Sequence, residues 1–253
     1  MEITILGSGG FAPEGTGDAV RNPSGYAVRM PGGGIAIMDL GFGNVRKLAQ
    51  CAVPLQDITH VFITHFHPDH WGDLPALLFH FRYAQKPRGG KLTVAGPAGM
   101  KKLVDDIHST FRGGTMPQGY ELAVEELLPG NDFKSDTFLL RTAKTEHTRE
   151  SLAFRLESGG KVLAYTGDAS EPGTLAEFFT DTDILIADAA LPDGAPRPRA
   201  HMTPSEVAGL AAACKAKKTI FSHLSVDSAR QAREKSGQNP VFTEARDGLI
   251  VAF

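Results

Sequence analysis

The sequence is poor in cysteine and has no long apolar run. Its 253 residues include two cysteines, Cys51 and Cys214, which are too few for a disulfide framework or a cysteine-based zinc site. No segment approaches the roughly 20 apolar residues that a membrane-spanning helix needs. The N-terminus, MEITILGSGG, lacks the basic start and apolar stretch of a signal peptide. We therefore expect a soluble, cytoplasmic protein with no membrane partner.

An excess of charge of either sign is also missing. The chain has 26 lysines and arginines against 29 aspartates and glutamates, a net charge of -3. This balance gives no bulk attraction for nucleic acid, although a local basic patch is compatible with it. Apolar residues make up 42% and charged residues 22% of the sequence, which argues against disorder. At this length we predict a single domain over residues 1–253, built of two similar halves.

Short apolar runs alternate with helical segments along the chain. The predicted strands cover residues 2–6, 25–30, 34–39, 60–64, 91–95, 119–127, 137–146, 151–158, 161–166, 184–188, 218–222 and 247–252. The predicted helices cover residues 44–51, 73–84, 97–110, 173–179, 204–215 and 228–236. Pro97 is expected at the start of its helix, and Thr203 with Glu206 forms a capping-box pattern. The succession predicts an α/β architecture of two packed sheets with helices outside, and it leaves the topology open.

One short segment concentrates residues that bind metals. Residues 65–70 (HFHPDH) contain three histidines and one aspartate directly after the apolar strand 60–64. Imidazole and carboxylate together suit zinc and other first-row divalent metals. Four such groups exceed what one tetrahedral zinc usually takes from one loop, so we predict two divalent ions, with zinc preferred over manganese or iron. The alternative is a polar loop whose histidines cap the next helix, and it leaves this density of histidine unexplained.

Three further ligand-type residues follow apolar runs elsewhere in the chain. They are His147 after FLLRTA, Asp168 after KVLAYT and His223 after KTIF. Each of them alone is typical of a turn or a helix cap. As a set that follows residues 65–70, they predict that one rim of the two sheets gathers all the ligands.

The order of these motifs resembles the metallo-β-lactamase superfamily. An HxHxDH segment, a lone histidine, a Gly-Asp pair and a final histidine follow one another between residues 65 and 223, and the resemblance covers essentially the whole chain. The resemblance implies an αββα sandwich of two mixed β-sheets flanked by helices, with a dinuclear site at its open edge. It implies that one ion is held by His65, His67 and His147, and the other by Asp69, His70 and His223. Asp168 and a hydroxide would lie between the two ions.

The same resemblance extends to Asp39. The segment 37–41 (IMDLG) is similar to an early strand of the family that ends in Asp-x-Gly. There the aspartate supports the metal-binding loop from behind, which is the role implied for Asp39. The alternative is a plain turn residue before Gly41.

Residues 201–203 (HMT) resemble the His-x-Thr motif of ribonuclease Z and related phosphodiesterases. The resemblance implies that His201 donates a proton to the leaving group, that Asp188 orients His201, and that Asp69 belongs to the catalytic set. The alternative for His201 is a helix-start residue without a catalytic task. The Gly-rich end of the first strand, followed by Arg21 and Asn22, is a weaker sign of the same branch.

Two features depart from ribonuclease Z. The interval from His147 to Asp168 spans 21 residues and predicts two strands and a turn, whereas ribonuclease Z inserts a long arm that grips tRNA. A His-Glu-Ala-Thr segment of those enzymes is replaced by residues 187–190 (ADAA). We therefore expect a small phosphodiester substrate, of the cyclic nucleotide or cyclic ribose phosphate type, ahead of a large RNA.

Several alternatives stay open at this point. The leading ones are a lactone or thioester hydrolase of the same fold and a ribonuclease Z-type endoribonuclease, whereas a non-catalytic binding module and a redox role are disfavoured. A homodimer is implied by the family alone.

Arg197 and Arg199 either present a guanidinium to a substrate phosphate or belong to an ordinary exposed loop. His60 is expected to face solvent or cap a loop at the start of its strand.

Overall fold

A computed structural model describes residues 1–11, 16–17, 20–86 and 88–253. The strands are β1 (Glu2–Gly7), β2 (Gly25–Arg29), β3 (Ile35–Leu40), β4 (Ile58–Phe62), β5 (Lys91–Pro97), β6 (Glu121–Leu127), β7 (Asp132–Lys134), β8 (Leu139–Lys144), β9 (Leu152–Ser158), β10 (Lys161–Tyr165), β11 (Ile184–Asp188), β12 (Lys218–Ser222), β13 (Phe242–Glu244) and β14 (Ile250–Ala252). The helices are α1 (Asn44–Gln50), α2 (Pro68–Trp71), α3 (Leu74–Tyr83), α4 (Met100–Thr110), α5 (Pro204–Ala213) and α6 (Val226–Gln238).

The strands form two mixed sheets of seven strands each. The first has the order β14-β1-β2-β3-β4-β5-β6, and the second has the order β13-β12-β11-β10-β9-β8-β7. In the first sheet β3 to β6 run parallel, and in the second β10 to β13 run parallel. The remaining neighbours in each sheet are antiparallel. Each sheet therefore has a parallel half whose strands end at one edge.

Three apolar layers hold the sheets and helices together. The middle layer lies between the sheets and contains the buried rings of Tyr26, Phe62 and Phe154. A second layer packs the first sheet against α3 and α4, and a third packs the second sheet against α5 and α6. Burying one such large side chain contributes about 1.5–3 kcal/mol. This arrangement confirms the predicted αββα sandwich.

The start of α5 follows the predicted capping pattern. The Thr203 hydroxyl accepts a hydrogen bond from the Glu206 backbone N–H, and the Glu206 carboxylate accepts one from the Thr203 backbone N–H. These two bonds satisfy donors that a helix N-terminus leaves without partners. They fix the direction in which α5 leaves the preceding loop.

The prediction for Pro97 is wrong. Pro97 ends β5, where it lies opposite Leu127 of β6, and α4 begins at Met100. The pairing of β5 with β4 has already ended at Ala95, so the missing N–H of Pro97 removes no bond to β4. Gly99 then supplies a φ of 103° at the N-cap of α4, a conformation that favours glycine.

Other predicted elements differ in extent. Only a 3-10 turn, Gly173–Leu175, forms in the predicted helix 173–179. The one-turn helix α2 was not predicted. The three-residue strands β7 and β13 were not predicted either, because they are stabilised by pairing with β8 and β12 rather than by a local pattern. In the described part of the chain, no helix is long and apolar enough to cross a membrane.

The prediction that His60 faces solvent or caps a loop is correct only in part, since the side chain is half-buried. His60 lies within β4, and its ring packs against Phe62, Phe133 and Phe138 at centroid distances of 5.7, 5.5 and 4.9 Å. Burial in this aromatic cluster, together with the nearby Lys91, lowers the pKa of His60 to about 4. His60 is therefore neutral in the folded protein at neutral pH.

We expect the His60→Phe variant to be less sensitive to acid than the wild type. Between pH 6.5 and about 4 the unfolded chain protonates His60 while the folded chain does not, so acid lowers the free energy of unfolding. Phenylalanine removes this contribution and suits the aromatic cluster. Urea unfolding at pH 7.0 and 4.5 checks the prediction, and an equal fall in both proteins contradicts it.

Candidate metal centre

The metal-ligand motif occupies the turn that follows β4. Pro68 stands at the first position of α2, which its fixed φ and missing N–H favour. The single turn of α2 directs the buried Asp69 and His70 inward, while the indole N–H of Trp71 donates to the Phe66 carbonyl at 2.9 Å. His67 lies just before the helix. The sequence thus folds back on itself within six residues and presents four ligand-type side chains.

The first group of ligand atoms comes from three histidines and one aspartate. Suitable atoms of His65, His67, His147 and Asp168 all lie within 4.8 Å of one another. The Nε2 atom of His147 is 3.1 Å from Nδ1 of His67. The Asp168 Oδ2 atom is 3.5 Å from Nε2 of His147 and 3.7 Å from Nε2 of His65. These residues could hold one divalent cation.

A second group lies on the other side of Asp168. Ligand atoms of Asp69, His70 and His223 are also within 4.8 Å of one another. Oδ1 of Asp168 is 3.3 Å from Nε2 of His70, and its Oδ2 is 3.5 Å from Nε2 of His223. The two groups have the membership that the family resemblance implies for two ions. Asp168 faces both groups and could bridge a pair of cations.

Asp39 orients this cluster from beneath. Its Oδ2 accepts hydrogen bonds from Nδ1 of His70 at 2.7 Å and from the hydroxyls of Tyr165 and Thr64 at 2.6 and 2.9 Å. Its Oδ1 accepts the backbone N–H of Thr64 at 2.8 Å. A bond at Nδ1 leaves Nε2 of His70 facing the ligand groups, which fixes both the ring and its tautomer. This is the supporting position implied for Asp39.

The other imidazoles are oriented in the same way. Nδ1 of His223 is 3.0 Å from the Ser24 hydroxyl, and Nδ1 of His147 is 3.0 Å from the Ala200 carbonyl. Each contact directs Nε2 toward the cluster. Sequence reasoning missed Ser24, Ala200 and the Tyr165 hydroxyl, because they lie far along the chain from the groups that they orient.

Buried polar atoms in the cluster indicate that a cation fits there. Nε2 of His65, Nε2 of His70 and Oδ1 of Asp168 are buried without a hydrogen-bond partner among the residues that the structure describes. Leaving such atoms unpaired costs on the order of 1–3 kcal/mol each. A divalent cation would satisfy all three together, and nitrogen with carboxylate oxygen is a donor set that zinc accepts.

The electrostatics of the cluster favour the same conclusion. Burial, with the neighbouring histidines His70, His147 and His67 adding to it, lowers the pKa of His65 well below its usual value, so this imidazole is neutral and free to bind a metal. Burial alone would raise the pKa of Asp168, but His223 and His70 hold it well below its usual range. Burial alone would also lower the pKa of His70, yet Asp168 and Asp39 raise it well above normal. The negative charges of Asp168 and Asp39 must therefore be balanced by positive charge within the cluster.

His201 and Asp188 form a pair beside the two groups. Nδ1 of His201 is 2.9 Å from Oδ2 of Asp188, and the His201 ring stacks on His223 at 5.2 Å. The Asp188 carboxylate also accepts the backbone N–H groups of Ala169 and Ala190, each at 3.0 Å, which fixes its position. Burial alone would lower the pKa of His201, but Asp188 raises it to about 9.

Two residues of the site have a strained backbone. Asp39 and His223 have φ values of 54° and 58°, in the left-handed region that residues other than glycine rarely adopt. Aspartate tolerates this region better than histidine does. The surrounding sheets hold both residues in place, and strain of this kind is common in functional sites.

Arg197 and Arg199 are both paired with carboxylates of the protein itself. Arg197 forms ion pairs with Glu171 and Glu206, and Arg199 pairs with Glu206 and donates to the Ala195 carbonyl at 2.6 Å. Both guanidinium groups therefore bind within the protein and fix the loop 191–200 against the start of α5. This engagement disfavours the role that the sequence left open, a contact with a substrate phosphate.

Known proteins resemble this chain in sequence and in fold. A profile of the metallo-beta-lactamase superfamily matches residues 19–223. Ribonuclease Z of Methanosarcina mazei is 24% identical over 307 aligned residues, which cover 100% of this chain and 95% of the relative. The crystal structure of human tRNase Z, short form, matches with a TM-score of 0.80 at 23% identity, covering 100% of this chain and 99% of that one. A diphosphatase from the PhnP family matches with a TM-score of 0.74 at 20% identity, covering 100% and 97%.

We expect Asp39→Asn to weaken metal binding by about 10- to 100-fold, the usual effect of losing such a supporting contact. Asparagine tolerates the backbone of this position, but it is uncharged and has one acceptor oxygen in place of two. Its NH2 group would therefore face either the backbone N–H of Thr64 or the N–H of His70. Competition with a chelator, followed by metal analysis, measures the affinity. Tyr165→Phe is the matched control, since it removes one bond to the same oxygen and should cost less. Equal affinities of Asp39→Asn and the wild type would contradict the assigned role.

Proposed function

This chain belongs to the metallo-β-lactamase superfamily of metal-dependent hydrolases, and within it we propose that the protein is a phosphodiesterase of small substrates. The observation that supports the proposal is the His201–Asp188 pair, which lies against the ligand groups at a distance of 3.8 Å between His201 and Asp168. Hydrolysis of a phosphodiester releases an alkoxide, which needs a proton, and this pair can supply one. A cyclic nucleotide or cyclic ribose phosphate is the class of substrate that we propose.

We propose that the metal ligands are His65, His67 and His147 in one group and Asp69, His70 and His223 in the other, with Asp168 shared. Two divalent ions, zinc by preference and manganese or iron as alternatives, would supply an activated water with a pKa of about 7 and would offset charge on the phosphoryl oxygens.

The chain's own residues perform the remaining tasks. Because Nδ1 of His201 is engaged by Asp188, Nε2 is the nitrogen that can donate a proton to the departing oxygen. Asp188 stabilises the charged imidazolium before the transfer, as the raised pKa of His201 indicates. Asp39, Ser24 and the Ala200 carbonyl keep the ligand histidines in position throughout the reaction.

The preference for a small substrate has structural support. The interval between His147 and Asp168 is filled by the antiparallel strands β9 and β10 and the turn between them. The alignment with the M. mazei ribonuclease Z extends over 307 residues against the 253 of this chain, so that relative has segments without a counterpart here. A net charge of -3 adds no general attraction for RNA.

A ribonuclease Z-type activity is the second candidate. It is favoured by the names of the M. mazei relative and of the human tRNase Z structure, both of which align over the whole of this chain. Cleavage of a precursor tRNA distinguishes the two candidates. We expect no such cleavage at 150 mM salt, and efficient cleavage that falls steeply with rising salt would favour the ribonuclease instead.

The substrate class is tested with the metal-restored enzyme. We expect bis(p-nitrophenyl) phosphate to be hydrolysed after zinc or manganese is returned to chelated protein, and a lactone and a β-lactam to be left intact. A panel of 2′,3′- and 3′,5′-cyclic nucleotides then narrows the substrate. Hydrolysis of the lactone without any phosphodiesterase activity would favour the carboxylic-derivative hydrolase.

We expect His201→Ala to lower kcat by about 10²- to 10⁴-fold while the metal content stays that of the wild type. The loss should be larger for an alkyl ester than for a p-nitrophenyl ester, because p-nitrophenolate leaves without a proton. The rates are measured on both esters, with metal analysis of the same samples. His60→Phe serves as a control, since His60 packs in the aromatic cluster. An equal loss on both esters would contradict proton donation by His201.

A further inference from the structure

A basic cleft lies beside the metal centre. It has a volume of about 1000 Å³ and is lined by the first two turns of α6, by α1 and by the segments around β1 and β13. We call it the arginine cleft and define it by its five cationic side chains, Arg21, Lys47, Arg230, Arg233 and Arg246. The carboxylates among its lining residues are Asp227 and Asp247. Positive charge therefore predominates there in a chain whose net charge is -3.

The arginine cleft is adjacent to the metal centre. Leu224 and Gly9 line the cleft and form an isolated β-bridge with each other. Leu224 directly follows His223 in the chain. Gly10, which follows the lining residue Gly9, is close to the metal centre, since a Cβ atom on it would be 3.5 Å from Nε2 of His223. Gly9 and Leu224 therefore line the cleft directly beside residues of the metal centre.

The arginines are held by one buried carboxylate. Glu244 accepts Nε and Nη2 of Arg233 at 2.9 Å each, Nη2 of Arg21 at 2.6 Å and Nη2 of Arg246 at 3.2 Å. These cations hold the pKa of Glu244 below its usual value against the effect of burial. One carboxylate cannot neutralise three guanidinium groups, each of which has five N–H donors. The side chains of Arg233 and Arg246 remain 61% and 65% exposed, so they can bind a further anion.

The two lining carboxylates do not cancel this charge. Asp247 accepts the backbone N–H and hydroxyl of Ser8 and the backbone N–H of Asn22, at 3.0, 2.8 and 2.7 Å, so it is directed toward the protein. Asp227 lies 4.0 Å from Arg230, and both side chains are largely exposed. A surface pair of this geometry is weak, and Arg230 is free to turn toward a ligand.

We propose that the arginine cleft binds a second phosphoryl group of the substrate, one that is not cleaved. The ligand would be a phosphomonoester attached to the same small molecule whose phosphodiester reacts at the metal centre. Planar guanidinium groups suit phosphate oxygens, and the N-terminal end of α6 adds favourable potential. This inference rests on the proposed phosphodiesterase function and specifies its substrate as doubly phosphorylated.

The test compares two charge-matched double variants of the metal-loaded enzyme. Lys47→Gln/Arg230→Gln removes two cations of the cleft and leaves the contacts of Glu244 intact. Lys101→Gln/Lys102→Gln removes two exposed cations of α4, which does not line the cleft. Binding of 5′-AMP and adenosine is measured by calorimetry. Hydrolysis is measured on 2′,3′-cyclic AMP with and without a 5′-phosphate.

We expect the wild type to bind 5′-AMP more tightly than adenosine, and the cleft variant to lose about tenfold in affinity for 5′-AMP, as two charge-assisted contacts are removed. The ratio of kcat/KM for the 5′-phosphorylated over the unphosphorylated substrate should fall about tenfold in the cleft variant. The α4 variant should keep the affinity and the ratio of the wild type.

Different outcomes separate the two proposals. If no cyclic nucleotide is hydrolysed, the proposed function fails, while the binding of 5′-AMP still tests the cleft. If both double variants bind 5′-AMP as the wild type does, the cleft proposal is overturned and the phosphodiesterase proposal stands. A cleft variant that loses affinity for precursor tRNA but not for 5′-AMP would overturn it as well, in favour of an RNA backbone.

Discussion

The burial of Asp168 between imidazole rings is the constraint on which the rest of the structure depends. A carboxylate with 3% exposure is stable only if positive charge surrounds it, and the histidines around it, apart from the exposed His67, are themselves buried or half-buried. Cations at the two ligand groups would resolve this conflict, because each of them would pair the carboxylate with nitrogen atoms that otherwise lack a partner among the described residues. Folding and metal binding are therefore expected to be coupled.

The fold meets this constraint through strand direction. In each sheet the parallel strands end at the same edge, so residues after β4, β10 and β12 converge although they are far apart in sequence. His147 joins them because β8 and β10 are both antiparallel to β9 and so run the same way. The apolar layer between the sheets fixes the distance across which the ligands meet. Strained residues such as His223 are held by these rigid strands.

This convergence could be predicted from the sequence because several local patterns point to the same arrangement. The ligand-type residues follow apolar runs, and the capping box of α5 fixes the helix that comes after His201. The contacts that orient the ligands were not predictable, since Ser24 and His223 are 199 positions apart and Tyr165 and Asp39 are 126 apart. Such pairs depend on the register between strands, which no local pattern contains. The short strands β7 and β13 were not predicted for the same reason, because they depend on pairing with neighbouring strands.

The distribution of arginines separates two tasks that the sequence could not distinguish. The loop 191–200 contains Arg197 and Arg199, but both pair with the carboxylate of Glu206, which also caps α5. The loop so anchored leads to the Ala200 carbonyl, which orients His147, and to His201. These arginines therefore position the site. In the arginine cleft, by contrast, three guanidinium groups share the single carboxylate of Glu244, so positive charge is left over there.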